Sequence, residues 1–124
     1  MKIQPPNRRL GILLSGRGSN FEAIAERIRK GSLRAEIAVV ISNVESAPGL
    51  AKARQFEFPT VYIPSAQKRR EDFDREVVQV LEKHDVSLVV LAGFMRILSA
   101  VFLNAFPNRI LNIHPSLLPA FPGT

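Results

Sequence analysis

The chain has 124 residues, a formal net charge of +6 at pH 7 and no cysteine. This length suits one domain with a small core. The lack of cysteine excludes disulfides, thiolate metal sites and cysteine nucleophiles, and it suits a reducing compartment, so we expect a cytoplasmic protein. With 46% apolar residues and a mean hydropathy of +0.06, the composition excludes an intrinsically disordered chain.

Five short apolar segments rich in Val, Ile and Leu predict β-strands that are buried on both faces. They are Leu10–Leu14, Ile37–Ile41, Thr60–Ile63, Ser87–Leu91 and Ile110–Ile113. Residues 1–9 are expected to form a flexible leader, within a single domain that spans residues 1–124.

Four segments between these strands have the residue types of helices, over residues 21–28, 48–54, 73–81 and 99–105. In the first and third, apolar residues recur at helical spacing opposite charged ones. Gly31 is expected to close the first helix, Pro48 to begin the second and Ser99 to cap the fourth.

The alternation of strands and helices predicts an α/β fold with a Rossmann-like, doubly wound and mainly parallel sheet. Ligands of such sheets bind at the carboxyl ends of the strands. Three segments follow predicted strand ends, and we expect the fold to bring them together: Ser15–Asn20, Gly93–Leu98 and Asn112–Pro119.

The segment Ser15–Asn20 contains two glycines and leads from a strand into a helix. Glycines let the backbone approach a ligand closely, and the free N–H groups of a helix start favour an anion. Phe21 occupies the third glycine position of a dinucleotide fingerprint, and Ser42–Asn43 replaces its carboxylate, so that fingerprint fails. The pattern favours a single phosphate, with simple helix capping by Ser19 or Asn20 as the alternative.

Asn112 and His114 follow the fifth apolar segment and are two residues apart. In a strand they would point to the same side. An amide donor beside a titratable imidazole suits a reaction that develops an oxyanion and needs a proton. A structural histidine bonded to a backbone carbonyl is the alternative. His84, the other histidine, is expected at the surface near a helix end.

Three stretches together resemble the glycinamide ribonucleotide formyltransferases of purine biosynthesis. They are Ser-Gly-Arg-Gly-Ser-Asn (15–20), Leu-Ala-Gly-Phe-Met-Arg-Ile-Leu (91–98) and Leu-Asn-Ile-His-Pro-Ser-Leu-Leu-Pro (111–119). The resemblance extends from about Leu10 to the last residue. It implies the formyltransferase fold, here incomplete on its C-terminal side.

The resemblance implies that Gly18, Ser19 and Asn20 bind the phosphate of glycinamide ribonucleotide. It also implies that Asn112 and His114 are catalytic, stabilising the tetrahedral intermediate formed when the substrate amine attacks the formyl carbon of 10-formyltetrahydrofolate. His114 would supply a proton to the departing folate nitrogen. The formyl group is already activated by its carrier, so no metal is expected.

The resemblance places the folate co-substrate beside the stretch that ends the fourth strand. Met95, Arg96, Ile97 and Leu98 would border the pterin through backbone groups and apolar side chains, with Asn112 nearby. Arg70 would lie on the folate side as well, although the neighbouring Lys68 and Arg69 leave room for a shift in that assignment.

The sequence departs from the family pattern in lacking the catalytic aspartate that follows the histidine. Asp74 and Asp85 are predicted on helix surfaces and do not replace it. The 124 residues alone are therefore expected to have little or no activity. The expected absence of later strands would also expose a sheet edge, which favours self-association.

Three other functions are compatible with parts of the pattern. A formyltetrahydrofolate hydrolase would use water in place of the amine, and a non-catalytic module would only bind phosphate. Nucleic-acid binding would suit the net charge, but the basic residues are dispersed and no aromatic residues interleave with them as a stacking platform requires. Small molecules are therefore the expected partners, with neither nucleic acid nor membrane.

Overall fold

The computed structural model describes residues 8–113, in which five strands and four helices alternate. The strands are β1 (Arg9–Leu14), β2 (Glu36–Ser42), β3 (Thr60–Tyr62), β4 (Leu88–Ala92) and β5 (Ile110–Ile113). The helices are α1 (Ser19–Arg29), α2 (Pro48–Gln55), α3 (Arg70–Lys83) and α4 (Ala100–Ala105). Among these residues no helix is long and apolar enough to cross a membrane.

All strand pairs in the described sheet are parallel, and the strand order is β3-β2-β1-β4-β5. The predicted doubly wound α/β fold is thus confirmed. From β1 the chain builds outward to β3 and then returns to place β4 on the other side of β1. The order therefore reverses between β1 and β4, and ligands of such sheets bind outside the strand ends at this reversal.

The helices cover both faces of the sheet and bury two apolar clusters. Leu14 of β1, Phe21 of α1 and Leu50 of α2 meet on one face. Leu13 of β1 packs with Phe73 of α3 and Phe102 of α4 on the other. Successive residues of β1 thus point into different clusters, which explains why this strand is a continuous apolar run and not an alternating one.

The predicted helix boundaries depend on local chemistry, and most of them are confirmed. Gly31 follows α1 and has a φ of 85°. Its N–H donates a hydrogen bond to the carbonyl of Ile28, and the N–H of Ser32 donates one to the carbonyl of Arg27. This pair of bonds defines a Schellman motif, which ends a helix with a left-handed glycine. Pro48 is the first residue of α2. Ser99 occupies the N-cap position of α4, but its side chain makes no capping hydrogen bond among the described residues.

Two expectations are wrong. Arg9 is the first residue of β1, so the leader cannot extend through residue 9; residues 1–7 lie outside the described part. Asp74 is not on a helix surface, because it is only 1% exposed and one of its oxygens accepts a hydrogen bond from the backbone N–H of Ser99 at 2.7 Å. The contact comes from the segment before α4, which packs against α3. Asp85 is exposed, just past the end of α3.

β5 is the edge of the described sheet, and the sheet face beside it is partly open. A groove of about 640 Å³ lies there on the α1 side. Its lining is mostly apolar with a cationic rim, from Leu10, Ile24, Leu33, Ala35, Leu88, Val90, Leu111 and Ile113 together with Arg8, Arg34 and Arg109. Leu111 is 49% exposed, which is high for a leucine in a strand.

Candidate active site at the strand reversal

The loop after β1 ends in a left-handed glycine that starts α1. Gly18 is the N-cap, with φ 80° and ψ 22°, a conformation that favours glycine. The N–H of Glu22 donates to the Gly18 carbonyl at 2.8 Å as the first bond of the helix. The N–H groups of residues 19–21 precede this bond and have no carbonyl within the helix to pair with. Unpaired N–H groups and the dipole at the start of a helix generally favour an anion.

The first turn of α2 supports this loop from behind. The N–H of Gly49 donates to the Gly16 carbonyl at 2.9 Å. A Cβ atom placed on Gly18 would lie 2.5 Å from the Cα of Gly49, so the two backbones touch where no side chain fits. The sequence analysis did not identify Gly49. A glycine in the first turn of a short helix, where it is a poor helix former, is the signal that points to it.

Asn20 is buried, and its side chain points toward the end of β5. It is 4% exposed, and its Nδ2 atom donates to the carbonyl of Ile113 at 3.4 Å. Among residues 8–113 its Oδ1 atom has no partner. The backbone N–H of Asn20 belongs to the helix start, whereas its side chain connects that start to the strand leading to His114. Ser19 is exposed.

Ser15 joins the loops that follow β1 and β4. Its N–H donates to the Gly93 carbonyl at 3.1 Å, and its Oγ accepts the N–H of Met95 at 2.9 Å. The same hydroxyl donates to Oδ1 of Asn43, after β2, at 2.6 Å. The expected meeting of Ser15–Asn20 with Gly93–Leu98 is therefore confirmed. Ser15 and Asn43 themselves were not predicted as site residues.

The loop after β4 presents apolar side chains to solvent. Met95 is 79% exposed and Ile97 is 71% exposed. Between them, the Arg96 guanidinium lies 4.8 Å from the centre of the Phe73 ring, and this ring stacks on that of Phe94. The loop thus has a packed inner side and an apolar outer side next to the helix start.

The remaining predicted residues lie on two other elements. Arg70 is the first residue of α3 and is exposed, while the neighbouring Lys68 pairs with Glu76 at 2.8 Å. Asn112 is exposed in β5 and is in register with Leu91 of β4. It lies on the sheet face opposite to that of Leu111 and Ile113. His114 and the segment that follows it lie outside the described residues.

His84 lies at a helix end, as predicted, but it is half-buried and not fully at the surface. It is the C-cap of α3, its Nδ1 atom lies 2.9 Å from the Val80 carbonyl, and its own carbonyl accepts a bond from Arg9. Within the part of the chain that the structure describes, no group of three or more His, Asp or Glu side chains could hold a metal ion.

Comparison with known sequences identifies the class of protein to which this fold and these two loops belong. The model of the formyl transferase family matches residues 8–124, and the chain belongs to this family. It is 44% identical over 113 residues to the phosphoribosylglycinamide formyltransferase of Escherichia coli K12, covering 90% of this chain and 53% of that protein. It is also 44% identical over 123 residues to the trifunctional purine biosynthetic protein adenosine-3 of Bos taurus, covering 98% of this chain and 12% of that protein.

Solved structures agree with this assignment. Glycinamide ribonucleotide transformylase 1 from Symbiobacterium toebii superposes with a TM-score of 0.85 at 45% identity, covering 97% of this chain and 57% of that one. The chain therefore spans somewhat more than half the length of these bacterial relatives. The comparisons give no support to the hydrolase alternative.

Proposed function

We propose that this chain carries the substrate-binding loops of an enzyme that transfers a formyl group from 10-formyltetrahydrofolate to the amine of 5-phosphoribosylglycinamide, in purine biosynthesis. The observation that carries the proposal is the junction at Ser15, which places an anion-binding helix start beside an exposed apolar loop. A phosphorylated amine would bind at the helix start and a flat pterin on the apolar loop. Formyl transfer between them requires the two surfaces to be adjacent. The names of the relatives support transfer of a formyl group to phosphoribosylglycinamide.

The helix start suits a single phosphate group. The N–H groups of Ser19 and Asn20 and the left-handed turn at Gly18 form the cradle. A dinucleotide would also need a carboxylate at the end of β2 for its ribose. Asn43 stands near that place, and its Oδ1 already accepts the Ser15 hydroxyl. This arrangement favours a ribose 5-phosphate over a dinucleotide.

The loop after β4 suits the formyl carrier. Met95 and Ile97 offer exposed apolar contact, while the backbone of Arg96 and Leu98 offers hydrogen-bonding groups to a pterin edge. Arg70, exposed at the start of α3, supplies a cation for the carboxylates of the folate tail.

In the proposed reaction, the amine nitrogen adds to the formyl carbon to give a tetrahedral intermediate and loses a proton to water. The bond from that carbon to the folate nitrogen then breaks. The Asn112 amide donates a hydrogen bond to the formyl oxygen as negative charge develops on it. His114 delivers a proton to the departing nitrogen. We place this chemistry in the cytoplasm, in keeping with a chain that has no cysteine.

Titration of the chain with glycinamide ribonucleotide tests the phosphate site. The exposed Ser19 hydroxyl would add a side-chain donor to the N–H groups of the helix start. Ser19→Ala should therefore weaken binding about tenfold, because a hydrogen bond to a charged group contributes about 1.5 kcal/mol. Ser32→Ala, just past the other end of α1, is the matched control and should leave affinity unchanged. Equal affinity in the wild type and Ser19→Ala would show that the Ser19 hydroxyl does not bind the phosphate.

We also propose that two copies associate through the β5 edge. Within residues 8–113, β5 is the outermost strand of the sheet on this side, and it carries the exposed Leu111. Sedimentation over roughly a hundredfold range of concentration should show a dimer that Leu111→Lys abolishes. Leu103→Lys, at a leucine of α4 that is 50% exposed, should have no effect. A dimer that survives Leu111→Lys would contradict the proposal.

A further inference from the structure

Asn43 has a set of contacts that phosphate binding and formyl transfer leave unexplained. It follows β2, it is half-buried, and its side chain is bonded at both ends. Oδ1 accepts the Ser15 hydroxyl at 2.6 Å, and Nδ2 lies 3.4 Å from Oγ of Ser65, which follows β3. The carboxamide thus links the ends of neighbouring strands.

The direction of each hydrogen bond follows from which groups can donate. A backbone N–H only donates, so the Met95 N–H must use a lone pair of the Ser15 oxygen. The Ser15 hydroxyl donates its single proton to Oδ1 of Asn43. Asn43 therefore sets the rotation of the Ser15 hydroxyl, and the hydroxyl holds Met95.

Ser15 makes two hydrogen bonds to the loop after β4, one on each side of Phe94. Its N–H binds the Gly93 carbonyl, and its Oγ binds the Met95 N–H. The far end of this loop is held by the bond from Ser99 to Asp74. Met95 and Ile97 lie between these anchors and are largely exposed. The direction of the proposed folate-facing surface therefore depends on a residue of the phosphate-side loop.

We infer that Ser15 and Asn43 are positioning residues that couple the two loops. The Asn43 carboxamide orients the Ser15 hydroxyl, which holds the Met95 loop in place for the formyl carrier. Because Ser15 belongs to the segment that leads to the helix start, a ligand that orders this segment should also tighten the second loop. The inference rests on the proposed function for the identity of the ligands, but the hydrogen-bond relay can be tested without them.

Hydrogen exchange of the Met95 amide in the ligand-free chain tests the relay. Ser15→Ala removes the acceptor and should speed exchange about tenfold, as should Asn43→Ala, which leaves the hydroxyl free to rotate. Ser65→Ala removes only the 3.4 Å contact and is the matched control, with no expected change. The double variant Ser15→Ala/Asn43→Ala should exchange no faster than Ser15→Ala, since both act through one bond.

Two conservative variants keep the test informative if the alanine variants fold poorly. Asn43→Asp retains an acceptor for Ser15 and should preserve the slow exchange of Met95. Ser15→Cys has a similar shape but a weak hydrogen-bonding group, and should lose it. Unchanged exchange in Ser15→Cys, or equal changes in Asn43→Asp and Asn43→Ala, would overturn the positioning role.

Ligand titrations test the coupling itself. The affinity for 5-formyltetrahydrofolate, a stable isomer of the proposed donor, should rise about fivefold when glycinamide ribonucleotide is saturating, and Ser15→Ala should abolish the increase. An increase that persists in Ser15→Ala would overturn the coupling. If the wild type binds neither ligand while Met95 exchange responds as expected, the proposed function fails and the relay stands.

Discussion

The loops after β1 and β4 leave adjacent strands at the same edge of the sheet, yet they are held in different ways. The first is supported along its length, because Gly18 and Gly49 bring two backbones into contact. The second is held mainly at its ends, by Ser15 and Asp74, and exposes Met95 between them. The difference matches the proposed ligands. A phosphate is bound by fixed dipoles, whereas a flat apolar ring needs a surface that can adapt to it.

This comparison also indicates how each loop should fail. Backbone contact tolerates no added atom, so a substitution at Gly18 or Gly49, where the first loop meets α2, should disturb packing. The second loop is held by separate hydrogen bonds. Removing one of them should therefore lower the free energy of unfolding by about the energy of that bond. Three substitutions should lower the free energy of unfolding, by amounts that decrease from Gly49→Ala to Asp74→Ala to Arg96→Met.

Gly49→Ala should have the largest effect. Its new Cβ would lie 2.8 Å from the Cα of Gly18 and 3.0 Å from Cδ2 of Leu14, so the loop or α2 must move. Overpacking of this kind costs about 3 kcal/mol. Urea unfolding measures the loss, and phosphate binding should weaken with it. Gly16→Ala has open space around its Cβ and should change stability by less than about 0.5 kcal/mol. Equal losses in the two variants would contradict the close backbone contact.

Asp74→Ala should come second, at about 2 kcal/mol, because it leaves the buried N–H of Ser99 without its acceptor. Exchange of the Ser99 amide should speed up together with the fall in urea midpoint. Asp72→Ala is the matched control on the same helix. It removes an exposed ion pair with Arg75 and should cost less than about 0.5 kcal/mol. If Asp74→Ala cost no more than this control, the second loop would have another anchor.

Arg96→Met should have the smallest effect. It keeps a long side chain over Phe73 but removes the cation from the ring, for a loss of about 0.7 kcal/mol. Arg75→Met, at the exposed surface of α3, controls for the loss of one positive charge. A larger loss in Arg75→Met than in Arg96→Met would show that the contact with the ring does not hold the loop.

Much of the fold could be predicted because its signals are local. The five apolar runs correspond to the five described strands within one or two residues at each end. Gly31 and Pro48 marked helix ends through their own backbone preferences. Strand–helix alternation then limited the topology to a parallel sheet, since its crossovers are short and right-handed. The convergence of the first and second loops followed from that topology.

The errors concern residues whose partners are far away in sequence. Asp74 looked like part of a solvated helix face, since nothing within α3 reveals that the segment before α4 covers it. The phosphate-binding role of Asn20 stays a prediction, but only the fold could show that its side chain reaches Ile113, 93 residues away. In the sequence, Asn43 stood out only because it replaces the carboxylate of a dinucleotide fingerprint.

The sequence by itself determined the order of elements, the faces they bury and the place of the helix start that we propose binds the phosphate, because periodicity and backbone preference act over a few residues. Only the tertiary structure decided which polar side chains hold the two loops together. Ser15, Asn43 and Asp74 acquire their partners when strands and helices distant in sequence pack against one another, and a buried polar group is then stabilised by whichever partner the packing brings within hydrogen-bonding distance.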